Sequence, residues 1–138
     1  MGSRLSMNRP ITSRMHGMLD YPAGALLIAA PWIFGFADVG GAAVAVPIAI
    51  GALVILQSLI TDYELSVADV LPLPAHLAMD VVAGAFLALS PVIFGFSDEG
   101  ANAWIPHVVA GIALIGSGLM TQHHRVTAPR HAARPHAT

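Results

Sequence analysis

The chain has 138 residues, of which 56% are apolar and 10% charged, with a formal net charge of −2 and no cysteine. Soluble domains average about 45–50% apolar and about 25% charged residues, so this is the composition of a membrane protein, and the chain is too short to wrap further layers around helices this apolar. The missing cysteine removes disulfides, thiolate metal sites and cysteine nucleophiles, and a near-neutral chain with no basic, aromatic-rich patch excludes nucleic acid as a partner.

Residues 1–14 carry Arg4, Arg9 and Arg14 and form a polar leader to the first apolar run. That run is full length and has no clean small-residue cleavage site before its acidic loop, so it reads as a retained span rather than a signal peptide. Four apolar runs follow at about 15–36, 43–62, 75–96 and 103–122. At ~1.5 Å per residue each can cross a ~30 Å hydrocarbon layer as a helix. None shows the two-residue alternation of a barrel strand, and helix satisfies every backbone group within lipid.

The runs repeat. HGMLDYPAGALLIAAPWIFGFAD returns sixty positions later as HLAMDVVAGAFLALSPVIFGFSD. The expected fold is all-α: a four-span transmembrane bundle of two tandem two-helix repeats, 15–62 and 75–122, joined by a Pro-rich connector at 63–74. Pro72 and Pro74 are placed to start the third span. The tail, 123–138, is rich in Arg, His, Pro and Ala and is expected to be disordered; His123 and His124 would bind metal only as a purification artefact.

All six arginines flank the outer ends of the first and last runs, and the loops at 37–42 and 97–102 have none. A multi-pass protein of the cell membrane with both termini cytoplasmic is therefore expected. Trp32, Trp104 and Phe34, Phe36, Phe94 and Phe96 gather near the opposite face, as an interfacial aromatic belt does. Pro31 and Pro91 should kink spans one and three before Gly35 and Gly95 stop them. Gly24, Gly51, Gly84, Gly111, Gly116 and Gly118 are expected at close helix approaches, and Gln57 and Ser58 as interhelical hydrogen-bond groups.

Two helices per repeat with a Ser/Ala-Pro-Trp triplet late in the first resembles the SPW repeat family of small bacterial and archaeal membrane proteins. The triplet reads Ala30-Pro31-Trp32 in one copy and Ser90-Pro91-Val92 in the other, inside a shared frame of His, Asp and Phe-Gly-Phe. The resemblance implies an integral membrane protein of unassigned activity and adds no mechanism.

Chemistry concentrates in one constellation. His16 and Asp20, and His76 and Asp80, are each four positions apart and share a helix face. A carboxylate within a span is costly, so each should face the bundle and find a partner. Four readings follow: hydrogen-bonded structural pairs, the default, with no cofactor; a divalent metal held by two imidazoles and two carboxylates; a b-type haem between His16 and His76; or a proton or ion path. Metal and haem both require spans one and three to meet. His107 aligns with Pro47 and is expected to be satisfied locally. No nucleophile elbow, phosphate loop, dinucleotide fingerprint or HExxH helix is present, so an enzyme is not expected. The function expected is a non-enzymatic module acting by association with lipid, with itself as a homo-oligomer, or with another membrane protein, and the alternative is a working His/Asp site.

Overall fold

A computed structural model describes residues 9–62 and 65–123 of the chain. It is all-helical: α1 Ser13–Ile33, a 3-10 turn Ala37–Val39, α2 Gly41–Ile60, α3 Leu73–Ile93 and α4 Ala101–Met120. Of these, α2, α3 and α4 are long and apolar enough to cross a membrane. The fourth expected span, α1, matches them in length at 21 residues, but Arg14, His16 and Asp20 lower the hydropathy of its first half. Residues 1–8, 63–64 and the tail beyond His123 lie outside the described residues, so the expected disorder of the tail finds no counterpart here.

Each hairpin is closely packed, α1 on α2 and α3 on α4, and α2 lies against α3 in the centre, with only slight contact between α1 and α4. The hairpins close where glycines remove side chains. A Cβ on Gly51 would lie 2.5 Å from the Gly24 carbonyl oxygen, and one on Gly111 would lie 2.5 Å from that of Gly84. Gly116 instead meets nothing within 4 Å, so it takes no part in packing.

Local chemistry explains the helix ends. The Thr12 side chain caps α1 by accepting from the Met15 N–H. At the far end, the Phe34 N–H donates to Ala30 O and the Phe36 N–H to Pro31 O, with Gly35 at φ +72° making the left-handed step; Phe94, Gly95 and Phe96 repeat the arrangement. Both helices continue through their prolines to Ile33 and Ile93. Pro91 deprives the Leu87 carbonyl of its helical donor, and the Ser90 hydroxyl donates to that carbonyl at 2.7 Å. The serine of a Ser-Pro pair thus repairs what its proline removes.

Two further places matter for the site. Ile11 pairs with Thr121 and Thr61 with Leu71, two short bridges whose corresponding members, Ile11 with Leu71 and Thr61 with Thr121, are sixty residues apart. They fasten the strand-like leaders of α1 and α3 to the ends of α4 and α2. At the opposite end, the aromatic belt divides. Trp32, Phe34, Phe94 and Trp104 are exposed, whereas Phe36 and Phe96 are buried against the His107 ring.

His107 is buried between the Ala43 and Ala103 carbonyls, with Nε2 donating to Ala43 O at 3.0 Å. The Ala43 carbonyl needs a donor because Pro47, four residues on, has no N–H. The two residues that align between repeats, Pro47 and His107, are therefore complementary. His107→Ala is expected to cost about 1–3 kcal/mol by orphaning that carbonyl. In a Pro47→Ala background, which restores the helical donor, the same change should cost at least ~1 kcal/mol less. Unfolding midpoints of the four proteins test this; additive losses would show that the pair is uncoupled.

Candidate functional site

The helix register places His16 and Asp20 one turn apart on α1, and His76 and Asp80 one turn apart on α3, near the leader end of the bundle. The two pairs converge. His16 Nε2 lies 3.0 Å from Asp20 Oδ2 and 2.9 Å from Asp80 Oδ2; His76 Nε2 lies 3.0 Å from Asp20 Oδ2 and 3.3 Å from Asp80 Oδ2. Nitrogen and oxygen alternate around a closed ring, and all four residues are buried, with Asp20 the most accessible at 4%.

The outer atoms of the ring decide where the protons are. Thr121 Oγ1 donates to the Ser117 carbonyl at 2.5 Å, and Thr61 Oγ1 donates to the Gln57 carbonyl at 2.5 Å. Each hydroxyl has one proton, so each can only accept from the imidazole beside it. His16 Nδ1 is 2.8 Å from Thr121 Oγ1 and His76 Nδ1 is 2.7 Å from Thr61 Oγ1, which assigns a proton to both Nδ1 atoms. Both Nε2 atoms are left facing the carboxylates, either as lone pairs or with a second proton each.

The two Nε2 atoms are not equivalent. His76 Nε2 and Asp20 Oδ2 are placed as a hydrogen bond, but His16 Nε2 and Asp80 Oδ2, only 2.9 Å apart, are not, and neither of these atoms has another hydrogen-bond partner. Two buried polar atoms that approach without a bonding direction between them are expected where both address a third body. The four candidate ligand atoms all lie within 4.8 Å of one another, so small inward movements bring each to the 2.0–2.2 Å of a zinc bond. A His2Asp2 set suits borderline first-row divalent ions. The threonines supply the hydrogen bonds on Nδ1 that orient metal-binding imidazoles.

The carboxylates are also held from outside. Ser58 donates to Asp20 Oδ2 at 3.0 Å, and the Gln57 amide donates to Asp80 Oδ1. Gln57 and Ser58 are thus interhelical, as expected, but their partners are the site itself. Thr61 and Thr121 were legible only as an identical pair of polar residues late in two apolar runs; that identity was the signal. Haem does not fit, because carboxylates within 3.3 Å of both imidazole Nε2 atoms occupy the space a porphyrin would need. His107 lies at the other end of an apolar cavity that begins at Asp20, with no further carboxylate along its lining.

A family model described as the SPW repeat domain matches residues 14–121. Comparisons with curated proteins and with solved structures find no match.

Proposed function

The chain belongs to the SPW repeat family, and from that premise we propose that this membrane protein is a small non-enzymatic module built around an intramembrane site for one divalent transition-metal ion. The observation that carries the reading is the closed ring of His16, Asp20, His76 and Asp80, with both Nδ1 protons committed to threonine and the ligand atoms turned inward. An ion there joins α1 to α3 and so ties one hairpin to the other, a link that side-chain packing between α1 and α4 supplies only weakly. Metal binding is then also folding free energy.

The same reading sets both termini on the cytoplasmic side, since Arg9 and Arg14 stand at the end of the bundle where α1 and α3 start. The partner it names is the lipid bilayer, with self-association or a second membrane protein meeting the exposed apolar faces around Trp32, Leu89 and Ile112.

Zinc analysis of the full-length protein in detergent tests it, with the tail histidines 123, 124, 131 and 136 changed to alanine. One zinc per chain is expected to survive dialysis, and His16→Ala or His76→Ala should abolish it. Thr61→Val, which removes only the partner of Nδ1, should weaken zinc about 10–100-fold. Absence of stoichiometric zinc, and of copper or nickel offered in its place, would overturn the metal site.

A further inference from the structure

The two seams between the hairpins use equivalent positions, yet they are not equally filled. Towards α3, α2 presents Ile50, Leu53 and Gln57; sixty residues later α4 presents Ala110, Ala113 and Ser117. Ile50 and Leu53 pack with Ala83 and Leu87, and Gln57 covers Asp80. On the α1/α4 side, the three smaller residues instead line a cavity of about 410 Å³. Three large-to-small differences between the copies hollow out one seam and leave the other solid.

The cavity is a groove. It follows α1 from Asp20 to Phe34, about 21 Å at ~1.5 Å per residue, and its mouth is flanked by the exposed side chains of Leu19, Leu26, Phe34 and Val109. Between helices that cross a membrane, such a mouth opens on lipid. The groove is longer than the ~15 Å of one hydrocarbon leaflet and apolar along almost its whole length.

Its one acidic end is Asp20. His16 on α1 contacts Thr121 on α4, so one turn further Asp20 and Ser117 stand level across the groove. Ser117 turns its hydroxyl proton back to the Leu114 carbonyl at 3.0 Å. Where the Gln57 amide covers Asp80, the equivalent position beside Asp20 therefore presents only acceptors. Asp20 Oδ2 already meets the Ser58 hydroxyl and His76 Nε2, and a guest that reaches the carboxylate from the groove is matched only if it brings a further donor.

We propose that this groove holds the hydrocarbon chain of a single-chain lipid whose hydroxyl end donates to Asp20. A lipid with only ester oxygens would set acceptors against acceptors, and the hydroxyl of a neutral lipid supplies the missing donor without carrying a charge into the bilayer. The groove stands on its own lining and shares only Asp20 with the metal site; the ion is not required for it.

The test uses the full-length protein in detergent, with 1-monooleoylglycerol as the probe and native mass spectrometry as the readout. One monooleoylglycerol per chain is expected to bind saturably, and methyl oleate, which lacks a hydroxyl, at least tenfold more weakly. The variant Ala110→Ile/Ala113→Leu/Ser117→Gln installs residues that the bundle already packs in its other seam, and it should lose at least tenfold in lipid affinity while keeping its zinc content. Ala113→Leu alone gives the same direction if the triple variant does not elute as a folded species. Undiminished binding to either filled variant overturns the groove, equal binding of methyl oleate overturns the role of Asp20, and loss of lipid together with zinc overturns the proposal by showing a collapsed centre. A wild-type protein that takes lipid but no zinc supports the groove and counts only against the metal reading.

Discussion

Asp80→Ala is expected to lower the stability of the bundle by about 3–5 kcal/mol. Asp80 is fully buried; its Oδ1 accepts from the Gln57 amide, and its Oδ2 stands 2.9 and 3.3 Å from the imidazole nitrogens of His16 and His76. Removing it leaves an amide and two imidazole nitrogens facing a void in low dielectric. Nothing nearby replaces the lost charge, because Asp20 already meets both histidines and Ser58. Asp80→Asn keeps the volume and an oxygen for one neighbour, so its loss should fall between those of wild type and the alanine variant. Unfolding in mixed micelles by SDS titration measures all three. An alanine variant within ~1 kcal/mol of wild type would mean that the ring contributes nothing to holding α1 against α3.

Gly111→Val is expected to reach or exceed the ~1–3 kcal/mol typical of overpacking. Its Cβ would stand 2.5 Å from the Gly84 carbonyl oxygen, 2.6 Å from the Ala88 nitrogen and 2.7 Å from the Ala88 Cβ. Two of those three are backbone atoms of α3, which no rotamer change can clear. The helices must part along the most extensive contact in the molecule, α3 on α4. Gly116→Val supplies the control on the same helix: with nothing within 4 Å it should shift stability by no more than ~0.5 kcal/mol. Equal losses at the two positions in the same SDS titration would refute close helix approach as the reason for Gly111.

Much of this was legible in residues alone because lipid narrows the choices. Runs of apolar residues in a bilayer can only be helices or closed barrels, so the all-α fold followed from composition and period. Glycines 24, 51, 84 and 111 were legible as points of close approach, but which met which was not. The hydropathy of α1 was read too generously, since the polar residues that make the site also dilute the span that carries them. The four site residues were visible as two local pairs, and whether the pairs met was not, because an i, i+4 spacing fixes a face and says nothing about which helix lies opposite. The same limit hid Thr61 and Thr121, which reach the imidazoles only across a turn of chain or across the whole bundle. Phe36 and Phe96 were assigned to the belt on position alone. Their burial on His107 depends on the carbonyl left free by Pro47, a tertiary pairing with no local signature.

The matching bridges Ile11–Thr121 and Thr61–Leu71 have a topological consequence. The first described segment is fastened to the end of α4 in the way that the connector is fastened to the end of α2, so the leaders of α1 and α3 are held at two equivalent junctions. Among the many side chains that differ between the halves, Gln57 against Ser117 and Pro47 against His107 are the ones that leave a shared centre covered on one side and uncovered on the other.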